Sequence, residues 1–152
     1  MSIESVKEQF QNEKLPLEVI EMDTSTATVE LAAEALGVEP GRIAKTMAIQ
    51  TKEENLLVLA KGDKRLDNKK FKKEFSSKGK FISMKEVEDI TGHPIGGVCP
   101  FGLKNDMDIY LDVSLKEYDY VYPAGGGPNT AVKIDVDYLE EVTKGKWVDV
   151  CK

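Results

Sequence analysis

Histidine occurs once in this chain of 152 residues, at position 93, and cysteine only twice, at positions 99 and 151. A zinc site needs about four Cys, His or carboxylate ligands gathered together, and this inventory makes one very poor. Two cysteines so far apart do not form a disulfide framework. With no G-x-S-x-G elbow, no H-E-x-x-H and one histidine to share, no Ser–His–Asp set can be assembled. No apolar run approaches the ~20 residues that span a bilayer, and the opening MSIESVKEQF lacks the apolar segment of a secretory leader. These absences lead us to expect a soluble, cytoplasmic protein without metal or cofactor and without a membrane or DNA partner. An enzyme made from this chain has to work with lysine, backbone amides and groups on its substrate.

What is present suits one domain over residues 1–152. Hydrophobic residues make up 41% and charged residues 32%, a globular composition. The net charge of −6 is unevenly spread. Residues 1–40 balance to −7 and residues 81–152 to −6, but residues 41–80 hold 12 basic and 5 acidic side chains, +7. A basic island of this kind reads either as a polyanion contact or as a lysine-rich solvated helix face.

Periodicity and punctuation predict an α+β domain. Helices are expected at SIESVKEQFQ, at 28–37 with Thr28 as cap and Gly37 as stop, at NKKFKKEF after Asp67, at 83–92 and at 137–145. In the 28–37 helix, Leu31, Ala35 and Leu36 share one face and should dock on a sheet. Strands are expected at LEVIEM, IAKTMAIQ, NLLVLAK, MDIYLDVSL, DYVYPAG, TAVKIDV and WVDV, the second and third joined as a hairpin by KEEN. The spacings between 107 and 136 are too short for crossover helices, so that part should be antiparallel. The whole predicts a curved, mixed and largely antiparallel, barrel-like sheet with flanking helices.

The residue that carries most information is Lys45. Side chains alternate along IAKTMAIQ, so Lys45 shares a face with Ile43, Met47 and Ile49, while Thr46 faces the other way with Ala44 and Ala48. An ammonium in an apolar row either snorkels from the strand end or points into a pocket to meet an anion or a polarised oxygen. The loop TGHPIGGVCPFG (91–102) raises a second question. Gly96 and Gly97 either form a plain rigid connector or present free N–H groups to an oxyanion or phosphate. Pro100 and Gly102 pin its exit. PAGGGPN (123–129), with Gly125 and Gly126, is similarly a hairpin turn or a second pocket wall. Cys99 would need a base partner to act as nucleophile, and with His93 on the same loop it reads as a packed or solvent-facing pair rather than a Cys–His dyad. Asp106, Asp108 and Asp112 fall in one row and read as the solvated face of an edge strand.

RIAKTMAI, LLVLAKGDKRLD, TGHPIGGVCPFG and YPAGG, in that order and spacing, resemble the YbaK/EbsC-type aminoacyl-tRNA editing family, also inserted in some bacterial prolyl-tRNA synthetases. The resemblance covers most of the chain from the AEALGV helix onward. It implies a compact editing domain that hydrolyses the ester of mischarged tRNA for proline carrying a small residue, cysteine or alanine among them. It assigns the main functional side chain to Lys45 and the ester-binding amides to Gly96 and Gly97. Water and the terminal adenosine hydroxyls would do the rest, with no covalent intermediate. Around these, Thr46, Pro100, Gly102, Gly125, Gly126, Lys64, Arg65, Lys69 and Lys70 are expected to hold substrate or tRNA, with prolyl-tRNA synthetase a candidate partner. The alternative is a silent tRNA- or nucleotide-binding module of the same fold. GGGPNTA departs from members with polar or basic residues there, so amino-acid specificity does not carry over.

Overall fold

The computed structural model describes residues 2–152, and five helices and nine short strands build it. In chain order they are α1 (Ser2–Asn12), β1 (Ile20–Glu21), α2 (Val29–Leu36), β2 (Ala44–Gln50), β3 (Asn55–Lys61), α3 (Asn68–Phe75), β4 (Lys80–Phe81), α4 (Met84–Thr91), β5 (Asp108–Asp112), β6 (Tyr120–Val121), β7 (Thr130–Ala131), β8 (Ile134–Asp135), α5 (Val136–Thr143) and β9 (Lys146–Val148). Helix ends follow local chemistry. Thr28 caps α2 by accepting from the Leu31 N–H, and Gly37 closes it in the left-handed conformation. Asp67 caps α3 by accepting from the N–H groups of Lys69 and Lys70. Ser83 spends its hydroxyl on the Glu86 side chain rather than on a backbone amide.

The central sheet runs β4-β2-β3-β5-β9. The expected hairpin is there, β2 pairing antiparallel with β3 from Ala44↔Lys61 to Gln50↔Asn55. β4 adds antiparallel to the far end of β2 at Ile49 and Gln50. The sheet turns parallel at β3–β5 and β5–β9. Antiparallel ladders β1–β7 and β6–β8 complete the β structure, and a parallel bridge joins Ile43 to Tyr122. Within 107–136 only β6–β8 is an antiparallel pair, because β5 crosses to β9 through α5 rather than folding back on its neighbours.

Strand alternation divides the core in two. Met47, Ile49, Val58 and Ala60 face α3, where Phe71 is fully buried and stacks on Phe75 with ring centroids 4.5 Å apart. Ala44, Leu59 and Leu111 face the opposite side and pack with Val6 and Phe10 of α1 and Leu139 of α5. Two expectations are corrected here. α2 turns Ala32 and Ala33 inward and leaves Leu31 42% exposed, because the helix lies against Ile43 and Tyr122 at the sheet's end rather than across it.

Asp112 is the other correction: it belongs to no solvated edge. β5 lies between β3 and β9, and Asp112 is buried at its end. One carboxyl oxygen accepts from the Val150 N–H at 2.8 Å, the other from the Ser114 N–H at 3.0 Å. It therefore ties the turn after β5 to the C-terminal segment. Asp112→Ala would strand two N–H donors that cost about 1–3 kcal/mol each when buried unpaired. We expect unfolding at a midpoint lower by roughly 2–4 °C per kcal/mol lost, read by thermal denaturation. Asp106→Ala, at an exposed loop position, should leave the midpoint in place.

Candidate functional site

The hydrogen bonds that β2 makes on its outer side locate the site. The Ala44 N–H reaches out to the Tyr122 carbonyl at 3.1 Å, and the Ala48 carbonyl accepts from the Ile82 N–H at 3.0 Å. Peptide groups in an antiparallel strand alternate direction, so Thr46, midway between, also turns its N–H and C=O outward. No strand pairs there, since β4 reaches only Ile49 and Gln50. A cavity of about 290 Å³ opens against this gap. Its walls are β2, the lead-in and inner face of α2, the segment after β4, and the loop carrying Gly96.

Close approach explains the glycines. Gly96 has φ +87°, and a Cβ on it would stand 2.8 Å from the Ala27 Cβ. Gly97 lies against the second glycine cluster, where a Cβ would come within 2.5 Å of the Gly127 nitrogen. The two loops are thus in backbone contact, and only glycine permits it.

Most polar groups lining the cavity are already used. The Thr26 hydroxyl donates to the Thr130 carbonyl, and the Thr28 hydroxyl caps α2. The Thr130 hydroxyl accepts from the N–H groups of Gly125 and Gly127 and donates to the Gly127 carbonyl. What remains uncommitted is small in number. The Thr46 Oγ1 is buried without a partner. Among the described residues, no carbonyl accepts from the Gly96 N–H. Lys45 is half-buried and donates one hydrogen bond, to the Lys64 carbonyl. Burial pushes the Lys45 pKa below its ordinary value, aided by Arg65, against the opposing pull of Cys151, Asp63 and Glu30. Lys45, with spare donors, Thr46 and Gly96 therefore line an otherwise largely apolar hollow.

Of the expected site residues, the structure brings Lys45, Thr46 and Gly96 to this cavity. Gly97 supports the loop from behind, and its N–H is not free but donates to the Pro94 carbonyl at 2.9 Å. Pro100 and Gly102 lie along a different groove beside α1, where the Gly102 N–H meets the Gln9 side chain at 2.6 Å. Gly125 and Gly126 pack on Val19 and Ser2 and stay behind the wall. Lys64 contributes its carbonyl, and Arg65 pairs its backbone with Lys152. Lys69 projects from α3, while Lys70 is held by Asp149 at 3.0 Å and the Cys151 carbonyl at 2.9 Å. Sequence reasoning missed the wall formed by Ala27, Val29 and Ala32, and the contribution of Phe81, Ile82 and Ile95. Ile95 adjoins Gly96 and offered a signal; the others come from parts of the chain with no motif.

His93 and Cys99 are fully buried outside the cavity. The His93 Nε2 meets the Phe101 carbonyl at 2.6 Å and lies 3.6 Å from the Cys99 Sγ. Burial lowers the His93 pKa and pushes the Cys99 thiol up to about 12, so this pair is neutral packing that fixes the loop from inside.

A single α+β domain with a small cavity lined by a half-buried lysine and a glycine loop, and with no nucleophile–base pair among the described residues lining it, defines the class. The family model described as "Aminoacyl-tRNA editing domain" matches residues 23–142, and the chain belongs to that family. It is 45% identical over 154 residues to the uncharacterized protein YwhH of Bacillus subtilis, covering 100% of this chain and 98% of that protein. It is 27% identical to EbsC of Enterococcus faecalis, named "Putative Cys-tRNA(Pro)/Cys-tRNA(Cys) deacylase", over 81% of this chain and 76% of that one. A solved structure described as "a putative trans-editing enzyme for prolyl tRNA synthetase" superposes with a TM-score of 0.92 at 30% identity, covering 99% and 97% of the two chains.

Two outcomes follow from this geometry. Lys45→Met removes the cost of burying an ammonium, so the variant should melt higher than wild type, by about 2–4 °C for each kcal/mol of relieved desolvation. The native lysine loses its proton at lower pH than the unfolded one, so wild-type stability rises with pH between the two values. The advantage of Lys45→Met should therefore shrink as pH climbs toward 10.5, the ordinary lysine value, in a series of melting curves. A constant gap would contradict a desolvated Lys45. Separately, a thiol with a pKa near 12 and no exposure should resist alkylation at Cys99 until the protein unfolds, as mass spectrometry of the labelled peptide would show.

Proposed function

We propose that this domain hydrolyses the ester of a mischarged tRNA, that of tRNA for proline bearing cysteine or another small amino acid. The observation that carries the reading is that Lys45, Thr46 and Gly96 line one small, largely apolar cavity. The aminoacyl ester is already activated, so the protein has to hold it, admit a water and stabilise the oxyanion. Water adds to the ester carbonyl carbon, and the carbonyl oxygen gains negative charge. Gly96 supplies a fixed donor to that oxygen. The bond to the ribose oxygen then breaks, and the proton from water passes to it through the neighbouring ribose hydroxyl. The products are the free amino acid and uncharged tRNA. Lys45 stays cationic and holds phosphate or sugar oxygens of the terminal nucleotide.

The alanine-rich wall, Ala27, Ala32, Ala44 and Ala48, favours a short side chain. It discriminates weakly within that class, since one methylene is worth only about 1–3 kcal/mol. Steering of the acceptor stem falls to Lys64, Arg65, Lys69, Lys72 and Lys73. Lys70 is occupied by Asp149 and supports the helix instead.

The test is deacylation of tRNA for proline charged in turn with proline, alanine, cysteine and serine, by wild type and Lys45→Ala. Rapid loss of one mischarged species is expected, slowed by roughly 10²-fold or more in the variant, the size of effect seen when one electrostatic stabiliser is removed. No hydrolysis of any species by the folded protein would replace this reading with a nucleotide-binding module. Equal rates for the two proteins would remove Lys45 from the mechanism.

A further inference from the structure

The protein exposes large apolar side chains at five described positions, and two of them, Phe81 and Ile95, line the cavity. Phe81 on β4 is 56% exposed, Ile95 47% and Met84 71%, with Leu31 on α2 as noted. Phe81 and Ile95 also line the cavity, so they form its lip. Phe81 lies on a strand of two residues and is not needed to fill either face of the core.

The charge beside this lip differs from that of the molecule. The segment KGKFISMK (78–85) holds Lys78, Lys80 and Lys85, all exposed, and no acid, in a protein of net charge −6. An exposed aromatic lip with lysines close by in the chain suits a ligand with an aromatic face and a phosphodiester chain. Base–aromatic stacking joined to a basic track is how single-stranded nucleic acid is commonly held.

We propose that Phe81 is the stacking platform for the 3′-terminal base of the acceptor strand, with Lys80 and Lys85 on the phosphates that precede it. This rests on the deacylase reading above. The ester is carried on the ribose of the terminal nucleoside, so when its carbonyl lies by Gly96 the attached base has to lie one ribose away, outside the hollow. Phe81 and Ile95 are the side chains at that exit. The platform thus reads the end of the nucleic acid while the cavity reads the amino acid.

The experiment measures kcat and KM for wild type, Phe81→Ala and Phe81→Trp on a mischarged RNA minihelix, and on the same minihelix with an abasic terminal ribose. Phe81→Ala is expected to raise KM roughly 5- to 150-fold with little change in kcat, and Phe81→Trp to restore it. On the abasic substrate, wild type and Phe81→Ala should be equal. A second arm measures binding of an uncharged oligonucleotide with the same 3′ end, and Lys80→Ala with Lys85→Ala should flatten its salt dependence. That arm needs no turnover. If wild type hydrolyses nothing, the deacylase reading falls while the platform is still judged by whether Phe81→Ala weakens the oligonucleotide. An unchanged KM, an equal loss on the abasic substrate, or a Phe81→Ala effect confined to self-association of the protein would overturn the platform.

Discussion

Between Ala44 and Ala48, β2 has a strand on one side and none on the other, and the functional surface depends on that gap. Unpaired sheet edges are normally covered or paired, because their amides invite other chains. Here Tyr122 and Ile82 hold the edge at both ends, and α2 and the 91–102 loop screen the middle without hydrogen-bonding to it. The opening is too short for another strand. It leaves the outward peptide group of Thr46 and its neighbouring side chains facing a hollow that a small ligand can fill.

Several local costs are accepted around this gap, and together they mark it as a place where binding has been favoured over stability. Lys45 is desolvated with one carbonyl as partner. The Thr46 hydroxyl is buried unpaired, which stabilises nothing in the free protein. Phe81 and Met84 are left in water. The loop opposite is, by contrast, firmly held. His93 and Cys99 anchor it to the core, and Gly96 and Gly97 seat it against Ala27 and Gly127. A donor fixed in this way meets developing charge without having to reorganise, which is where electrostatic catalysis gains most.

Much of the secondary structure was legible because its signals are local. The Asp67 cap, the Phe71–Phe75 spacing, the Gly37 and Gly92 stops and the 44–61 hairpin all follow from neighbours within a turn or two. Leu31 was misread because helix periodicity gives the width of an apolar stripe and not the surface it meets. α2 packs at the end of the sheet, where Ala32, Ala33 and Leu36 face Ile43 and Tyr122 and Leu31 is turned away. Asp112 was misread for a related reason. A row of acids looks solvated until a distant segment, here Val150, supplies the buried donor that makes the carboxyl structural.

Within the candidate site, strand alternation singled out Lys45, and the glycine pair singled out the loop. Residue types and short-range spacing decided that much, since a lysine in an apolar row and two adjacent glycines are unusual wherever they fall. The sequence by itself determined the helices, the 44–61 hairpin and the family resemblance, but neither β4 nor the break of 130–136 into β7 and β8. Only the tertiary structure decided that Gly96 faces the cavity while Gly97 buttresses it, that Pro100 and Gly102 serve α1, and that Phe81 stands at the mouth. The reason is physical. Which amide stays free and which ring stays uncovered depends on packing between segments far apart in the chain, and no local pattern encodes those contacts.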